Sequence, residues 1–548
     1  MNGDGVIFLW LGEVCVAESK KGKKNTIISL ENILWNCRVA LRGIGSTEKN
    51  RDAVIALVFL KFAGDNFQKR REEIIKEQGD IPIFLENVAF YNAKNVFYLN
   101  DTARWSYIVD NASKSEIAVI IDKAMEDVEE QNDGLKGALP LNLFSTLAAE
   151  QSKIKSLIDN VNKIDEKQFQ DKDLIGRVYE YFLRAYAAAG TKEDGEFYTP
   201  VCVVKLIAEL IEPLSGIIYD PCCGSGGMFV QSMKFVESHN IDKNKISIVG
   251  QESNAETWRL CKMNLAGRGI AHDLGATAAS TFTNDLHKDL KVDYIMANPP
   301  FNLKNWRDTD ELTKDSRFAG FPAVPPVANA NYAWILHIIS KLNKEHGIAG
   351  FLLANGALNA DDIEYSLRKE IILRDVVESI IVLPRDMFYT TDISVTLWIL
   401  NMNKKAGTVN GRKVRDRTGE ILFVDLRRWD SQVEEIVIDK GKKKKKTILS
   451  DEQIFEVKKI YHDWQSADRQ NYSDVPELCK ATKLAEIQEK DYSLAPSKYV
   501  EFIDHDLEID FPAEMQRIQS EMKRILAEEK AAQGKLIDAF KNIGYGIE

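Results

Sequence analysis

The sequence predicts a multidomain chain with an N-terminal α-helical domain, a central Rossmann-like α/β domain and a C-terminal helical tail. The central prediction rests on a short apolar strand, residues 217–220, that runs directly into a glycine-rich turn and a helical pattern. A dinucleotide-type α/β fold begins in this way. Strands then alternate with helices over residues 166–430, which indicates a mostly parallel sheet. Apolar residues at helical spacing on either side predict the two helical parts.

The N-terminal part divides into an extension of unknown role, residues 1–28, and a helical domain, residues 29–165. Six apolar residues of this domain fall on one face at a spacing of about 3.6 residues, which predicts an amphipathic helix. They are Ala53, Val54, Leu57, Val58, Phe62 and Ala63. The apolar run at residues 6–11 is too short for a signal peptide and follows Asp4 instead of a basic residue.

The composition suits a large cytoplasmic enzyme. The chain has 548 residues, which implies several domains, and 45% hydrophobic residues, which is enough for sizeable cores. Its seven cysteines form no C-x-x-C pair and its seven histidines show no metal-ligand spacing, so we expect reduced thiols and no metal. No stretch approaches the length of a membrane span.

The glycine-rich turn predicts a cofactor site. Glycine lets the backbone pass close to a ligand where a Cβ would clash. The turn lacks the Lys-Ser/Thr pair of a phosphate-binding loop. An acid at the strand end followed by G-x-G instead suits a ligand with a cationic amino-acid end, such as S-adenosylmethionine. The candidate cofactor-binding residues of the turn are Asp220, Cys222, Gly224, Ser225, Gly226 and Gly227.

Three other segments add candidates for the same site. Glu252 follows the next strand, residues 246–250, where an acid is placed to bind ribose hydroxyls. Asp285 is a candidate acceptor for the adenine amine of the cofactor. An aromatic turn before the apolar helix 201–211 either covers the cofactor's methionine end or caps the helix, with threonine as the cap and proline at the first helical position. This turn is Phe197, Tyr198, Thr199 and Pro200.

The segment Asn298-Pro299-Pro300-Phe301 predicts the catalytic site. It follows an apolar strand, residues 292–297, and its prolines end that strand because they have no N–H to donate. Asn298 Oδ1 and the Pro299 carbonyl can each accept one N–H of an exocyclic amino group, while Phe301 stacks on the ring. Asn298 is also a candidate cofactor-binding residue. For this segment alone, a strand that ends in an ordinary turn is the alternative.

These segments, in the order F-Y-T-P, D-P-C-C-G-S-G-G and N-P-P-F, resemble the modification (methyltransferase) subunit of type I restriction–modification systems. Such subunits are γ-order adenine-N6 DNA methyltransferases. The resemblance extends over about residues 30 to 540. Further similar segments lie at residues 34–61, 173–182 and 491–500.

The resemblance implies a class I methyltransferase domain whose sheet ends in an antiparallel hairpin, with S-adenosylmethionine as its cofactor. It also implies methyl transfer to N6 of a flipped-out adenine in DNA. Phe388 is then a second base-stacking residue beside Phe301. The segment before Phe388 departs from the family, because Arg385 to Met387 stand where proline or glycine is more usual.

The net charge of −11 predicts a partner for DNA binding. A protein that grips DNA alone usually has a basic surface, because phosphate neutralisation supplies much of the affinity. The resemblance implies a separate specificity subunit, a restriction (translocase/nuclease) subunit and two copies of this chain per complex. The one basic run, residues 442–446 with Lys440, either contacts phosphates or forms a solvated loop.

The C-terminal segment, residues 431–548, contains a candidate docking helix at 513–541, whose narrow apolar stripe suits a partner helix. Packing of this helix on its own chain is the alternative.

Two further predictions concern the central domain. The strands at 377–383 and 394–400 form an antiparallel hairpin because their link is short, and the polar loop 302–330 is a substrate-contacting flap.

Three functions remain in competition on these grounds. The first is a DNA adenine-N6 methyltransferase subunit, favoured by the long helical regions at both ends. The second is a methyltransferase that acts on a protein glutamine amide or an RNA base amine, since the same clamp serves such enzymes. The third is a non-catalytic scaffold of a restriction complex, against which the intact Asn298 argues.

Overall fold

The computed structural model describes most of the chain. The described residues are 30–147, 150–164, 178, 181–182, 199–388, 392–439, 442–468, 471–503, 511–542 and 544–545. The chain divides into two compact units, Met1–Leu183 with Lys262–Ile270 and Arg184–Cys261 with Ala271–Glu548. The predicted extension and the predicted boundary at residues 165/166 lie outside the described residues and stay predictions.

The first unit is helical, as predicted. Its helices up to residue 164 are α1 Leu30–Ala40, α2 Thr47–Gln78, α3 Pro82–Leu85, α4 Val88–Asn92, α5 Trp105–Asp110, α6 Ile117–Gln131, α7 Leu143–Thr146 and α8 Gln151–Val161. In the described part of the chain, no helix is long and apolar enough to cross a membrane.

Helix α2 runs through the core of the first unit. Ser46 caps its start by accepting a hydrogen bond from the Lys49 amide at 3.3 Å, and Gly79, with a φ of 87°, ends it. Every side chain from residue 53 to residue 63 is buried. The six predicted residues are therefore helical and buried, and the residues between them are buried as well. The helix is buried on all sides because α1, α3, α5 and α8 all contact it.

The second unit is built around a large mixed sheet. Its strands are β1 Gly216–Asp220, β2 Ile246–Gly250, β3 His272–Asp273, β4 Tyr294–Ala297, β5 Ile348–Ala354, β6 Val377–Val382, β7 Val395–Asn401, β8 Gly407–Val409, β9 Arg412–Val414, β10 Glu420–Asp425, β11 Val433–Asp439, β12 Lys442–Thr447 and β13 Cys479–Lys483. The helices described after residue 199 are α9 Val201–Ile211, α10 Gly227–Ser238, α11 Ala255–Ala266, α12 Asn331–Lys341, α13 Asp362–Leu373, α14 Asp451–Gln465, α15 Leu484–Glu489 and α16 Phe511–Asn542.

The strand order of the sheet reverses at β1. The order is β13-β10-β6-β7-β5-β4-β1-β2-β3, and β1 is parallel to both β2 and β4. The chain adds β2 and β3 on one side of β1, then returns to add β4 and β5 on the other. In open α/β sheets, ligands bind at the carboxyl ends of the strands where this reversal occurs.

The predicted antiparallel hairpin is confirmed. Strands β6 and β7 are antiparallel, and β7 lies between β6 and β5. The sheet continues beyond the hairpin with β10, parallel to β6, and β13, antiparallel to β10. Strand β13 comes from the predicted C-terminal segment. Its sequence, CKATK, is too short and too polar to indicate a strand without its neighbour.

The lysine run forms strand β12 of a separate hairpin with β11, so the prediction of a solvated loop is wrong. Acidic residues of β11 oppose it, since Glu434 pairs with Lys446 and Glu435 with Lys445. The Lys446 ammonium is buried and lies 2.9 Å from Asp392 Oδ1. Cross-strand charge pairs of this kind favour the hairpin. Contact with phosphates stays a prediction.

The loop at residues 302–330 has no helix or strand but is anchored by aromatic and charged side chains. Trp306 is buried, and its ring centroid lies 4.6 Å from that of Phe282. Arg317 donates to the carbonyls of Thr281 and Phe282 at 2.8 and 2.6 Å. The loop is therefore held against the sheet unit, and its contact with a substrate stays a prediction.

Helix α16 differs from the other long helices because none of its residues is buried. Packing on its own chain is therefore wrong. Its exposed apolar side chains are Phe511, Met515, Ile518, Met522, Ile525, Leu526, Leu536, Ile537 and Phe540.

Candidate active site

Three strand ends bring the predicted residues to one edge of the sheet. The register pairs Asp220 with Gly250 in β2, and Ile218 with Tyr294 in β4. Because these strands are parallel, their carboxyl ends lie side by side. The segments that carry Asp220, Glu252 and Asn298 therefore leave the sheet at the same edge.

The glycine-rich turn after β1 leaves room for a ligand. Gly224 and Gly226 have φ angles of 54° and 82°, which residues with a Cβ rarely adopt. A Cβ placed on Gly224 or Gly227 would meet no described atom within 4 Å. Ser225 lies between them in the same turn, and α10 begins directly after Gly226.

Asp220 is a buried carboxyl at the end of β1, only 1% exposed. Its Oδ1 accepts a hydrogen bond from the Cys222 amide at 3.0 Å and contacts the Cys222 thiol at 3.6 Å. Burial raises the pKa of Asp220 to about 7, the Cys222 hydrogen bonds act to lower it, and nearby Glu252 raises it further. A cation placed beside this carboxyl would favour its ionised form.

Glu252 lies against the glycine-rich turn. Its Oε2 accepts the Gly224 amide at 3.0 Å, and its Oε1 accepts the Asn254 amide at 2.8 Å. Burial raises the pKa of Glu252 against the effect of these hydrogen bonds. Two carboxyls thus border the turn, and binding of ribose by Glu252 stays a prediction.

Asp285 already has protein partners on both oxygens. Its Oδ1 accepts the His287 amide at 3.0 Å, and its Oδ2 lies 2.7 Å from the Lys341 ammonium. Both members of this ion pair are buried. A cofactor amine would have to share these oxygens, so the geometry does not favour the predicted role of Asp285.

Asn298 follows β4 and has one satisfied and one unsatisfied end. Its Nδ2 donates to Thr199 Oγ1 at 2.9 Å. Its Oδ1 is buried and has no hydrogen-bond partner among the described residues. A buried acceptor without a donor is unfavourable, so such an atom at a sheet edge marks a place where a ligand can donate.

The Cys222 side chain joins the glycine-rich turn to Asn298. Burial and the neighbouring Asp220 carboxyl raise the pKa of the Cys222 thiol well above its usual range, while a hydrogen bond from the Asn298 backbone acts to lower it. Cys222 therefore contacts both Asp220 and the strand end that carries the catalytic segment.

The two predicted stacking residues differ in exposure. Phe301 is half-buried and packs beside a core cluster, whereas Phe388 is 2% exposed within that cluster. The Phe388 ring has no free face, so the geometry does not support its predicted role. Pro299 is buried and Pro300 is half-buried. Phe197 and Tyr198 lie outside the described residues, so their predicted roles stay predictions.

Comparison with known families identifies the family of the chain. Residues 170–507 match the family described as N-6 DNA Methylase, and residues 30–164 match the HsdM N-terminal domain. The chain belongs to the N-6 DNA methylase family. The predicted family and methyltransferase activity are thereby confirmed.

This methylase is similar to subunits of type I restriction enzymes along most of its length. It is 32% identical to the MjaIX methylase subunit of Methanocaldococcus jannaschii, with 94% of this chain and 91% of that protein covered. It is 35% identical to the HindI methylase subunit of Haemophilus influenzae, with 79% and 94% covered.

A solved structure shows the same fold at low sequence identity. The methyltransferase subunit of a type I restriction–modification system from Streptococcus thermophilus has a TM-score of 0.66 and 20% identity. The comparison covers 86% of this methylase and 99% of that chain. The predicted fold class is confirmed.

One contributor to the site carries no recognisable signal in the sequence. Gln251 is fully buried and donates to the carbonyls of Ala279 and Asn284 at 3.0 and 2.8 Å, which fixes the loop before Asp285 against β2. Thr199 does not cap α9, because the cap is Pro200 and no side chain bonds there. The helix-capping alternative is therefore wrong, and the Thr199 hydroxyl contacts Asn298 instead.

Proposed function

We propose that this methylase is the catalytic subunit of a type I restriction–modification complex and that it transfers a methyl group from S-adenosylmethionine to N6 of an adenine flipped out of DNA. The observation that carries the proposal is Asn298 Oδ1, buried and without a partner among the described residues. Such an atom gains most from a ligand that donates an N–H. An exocyclic amino group is such a donor.

The glycine-rich turn and its two carboxyls fit the cofactor. Gly224 and Gly227 face open space, and Asp220 and Glu252 supply negative charge for a cationic ligand. When bound, S-adenosylmethionine supplies a methyl group on a sulfonium, which is a good leaving group. Phe197 and Tyr198 are further candidates for contact with its methionine end.

The chain's own contribution to methyl transfer is to orient the nucleophile. Adenine N6 is a poor nucleophile because its lone pair is delocalised into the ring. Asn298 Oδ1 and the Pro299 carbonyl hold the two N–H bonds out of the ring plane, so that the lone pair points at the methyl carbon. When N6 takes up the methyl group, the methyl–sulfur bond would break with its electron pair left on sulfur. N6 would then release one proton, which the Asn298 and Pro299 oxygens that hold its N–H bonds would pass to solvent. Positioning and electrostatics supply most of the acceleration.

The target base must leave the duplex to reach Asn298, because the amino group is otherwise paired and stacked. Phe301 offers a half-buried ring at this edge on which the flipped base can stack. Because the chain carries a net charge of −11, it neutralises few phosphates by itself. A specificity subunit therefore brings the duplex, a restriction subunit completes the complex, and two copies of the methylase serve the two strands. We infer a cytoplasmic location, because the proposed substrate is DNA.

Helix α16 is the proposed docking surface for the specificity subunit. An isolated helix in water is marginal unless another element covers its apolar face. Its ion pairs, Arg517 with Glu514 and Arg524 with Glu528, are exposed and contribute little. A partner helix packed along the apolar stripe would bury the side chains that this chain leaves exposed.

The test is product analysis. The methylase, purified with its partner subunits, is incubated with labelled S-adenosylmethionine and unmodified duplex DNA, and the nucleosides are separated by mass spectrometry. We expect N6-methyladenine as the only labelled nucleoside, formed roughly a hundredfold to a thousandfold more slowly with Asn298→Ala. Label in a protein glutamine or in ribosomal RNA, with none in DNA, would favour the second function. No label in any substrate would favour the scaffold.

A further inference from the structure

The Asn298 amide has two ends of similar shape and opposite hydrogen-bonding character. Nδ2 donates to Thr199 Oγ1 at 2.9 Å, and Oδ1 is the buried end without a partner among the described residues. Rotation of the amide by half a turn would exchange the two ends. The substrate amine would then face an N–H donor instead of an acceptor, and methyl transfer would lose its clamp.

The Thr199 hydroxyl accepts the Nδ2 hydrogen bond and so holds the amide in the orientation that the structure shows. A hydroxyl can both donate and accept, but in the structure it faces the nitrogen end of the amide. Without an acceptor, Nδ2 would be a half-buried donor with no partner here, and the amide would lose the contact that holds its orientation.

Thr199 is held by a rigid element. The carbonyl of Pro200 accepts the amides of Val203 and Val204 at 2.9 and 3.1 Å, which fixes the start of α9 directly after Thr199. Helix α9 packs on β4 and β5. This packing is close, because a Cβ on Gly350 of β5 would lie 2.6 Å from the Ile207 side chain. The helix that begins just after Thr199 and the strand that ends just before Asn298 are thus in direct contact.

We propose that Thr199 is a positioning residue for methyl transfer, whose hydroxyl holds the Asn298 amide with Oδ1 directed to the substrate amine. The proposal rests on the proposed function, since it acts through Asn298. It replaces the cofactor contact that the sequence predicts for Thr199.

The test separates the rate of methyl transfer from cofactor affinity. Thr199→Val keeps the shape of the side chain and removes the acceptor, whereas Thr199→Ser keeps the hydroxyl. The rate is measured in a single turnover with the complete complex, saturating cofactor and DNA. Cofactor affinity is measured by calorimetry on the full chain.

We expect Thr199→Val to slow methyl transfer roughly tenfold to a hundredfold, because a misplaced reacting group can cost about a hundredfold. Cofactor affinity should change by less than about twofold, since the interaction lost is one made to the reacting base. Thr199→Ser should restore most of the rate. If Thr199→Val weakens cofactor binding and leaves the saturated rate unchanged, Thr199 is a cofactor ligand and the proposal is wrong.

A double-mutant cycle identifies the residue through which Thr199 acts. In an Asn298→Ala background, Thr199→Val should cause no further loss of rate, because the amide that it orients is absent. An equal loss in both backgrounds would overturn the proposal. Should the valine variant unfold, Thr199→Ala compared with Thr199→Ser in the same two assays decides the question. A wild-type rate for Asn298→Ala alone would contradict the proposed function itself. Failure of the proposed function is thereby distinguished from failure of the positioning role of Thr199.

Discussion

The sheet edge and helix α16 use their surfaces in opposite ways. At the sheet edge, polar atoms such as Asn298 Oδ1 are buried and lie on elements that pack tightly. Along α16, apolar side chains such as Met522 and Ile525 are 61% and 51% exposed, and nothing is buried. The proposed chemistry therefore lies on residues that this chain packs tightly, whereas the proposed docking surface lies on residues that it leaves exposed.

The largest expected effect comes from removing the helix. Truncation at Phe511 should abolish co-purification with the specificity subunit, and sequence-specific methylation with it, because the apolar stripe is lost. Cofactor affinity of the truncated chain should equal that of the full chain, since α16 contributes no buried residue. Pull-down assays and calorimetry measure the two outcomes.

A matched pair of point variants controls this truncation. Ile525→Gln removes one apolar side chain from the stripe, and Lys523→Gln makes the same replacement on a different side of the helix. Only the first should weaken the partner complex. Unchanged co-purification after truncation would show that α16 is not the docking surface.

The next largest effect concerns the sheet edge. Asn298→Ala should slow methyl transfer by roughly a hundredfold to a thousandfold, which is typical of losing one preorganised hydrogen-bonding group. Cofactor affinity and partner binding should stay unchanged, because neither the glycine-rich turn nor α16 is altered. Single-turnover assays on the complex measure the rate, and a wild-type rate would refute the mechanism.

A smaller effect tests the cofactor site. Gly227→Val places a side chain where no described atom lies within 4 Å, so it should leave thermal stability unchanged and lower cofactor affinity by about tenfold or more. Gly226→Ala is the contrasting variant. With a φ of 82°, Gly226 needs a conformation that costs other residues about 1–2 kcal/mol, so this variant should lower the melting temperature. If Gly227→Val binds the cofactor with undiminished affinity, the cofactor does not bind at the glycine-rich turn.

The smallest effect is a pH dependence of cofactor binding. The pKa of Asp220 is raised to about 7, so the carboxyl is largely neutral below that pH and ionised above it. A cationic ligand prefers the ionised form, so cofactor affinity should rise with pH, by at most about tenfold per unit, and level off above the pKa. Calorimetry across this range should show a flatter profile for Asp220→Asn. An identical profile in that variant would assign the titration to another group.

The sequence determined the parts of this methylase that depend on local patterns. The glycine-rich turn, the N-P-P-F segment, the β6–β7 hairpin and the helical first part are all visible in it, because glycine, proline and apolar spacing act over a few residues. The family resemblance added the activity. These features place Asp220, Gly224, Glu252 and Asn298 at strand ends that meet at one edge.

The tertiary structure decided what depends on residues far apart in the chain. Thr199 meets Asn298 across 99 positions, and Asp285 meets Lys341 across a long separation in the chain. The lysine run became a strand only because an acidic strand opposes it. Burial of Phe388 and exposure of α16 depend on what packs against them. The spacing of residues along the chain does not show which distant segment will be a neighbour in space. The strand order of the sheet determines which segments are adjacent.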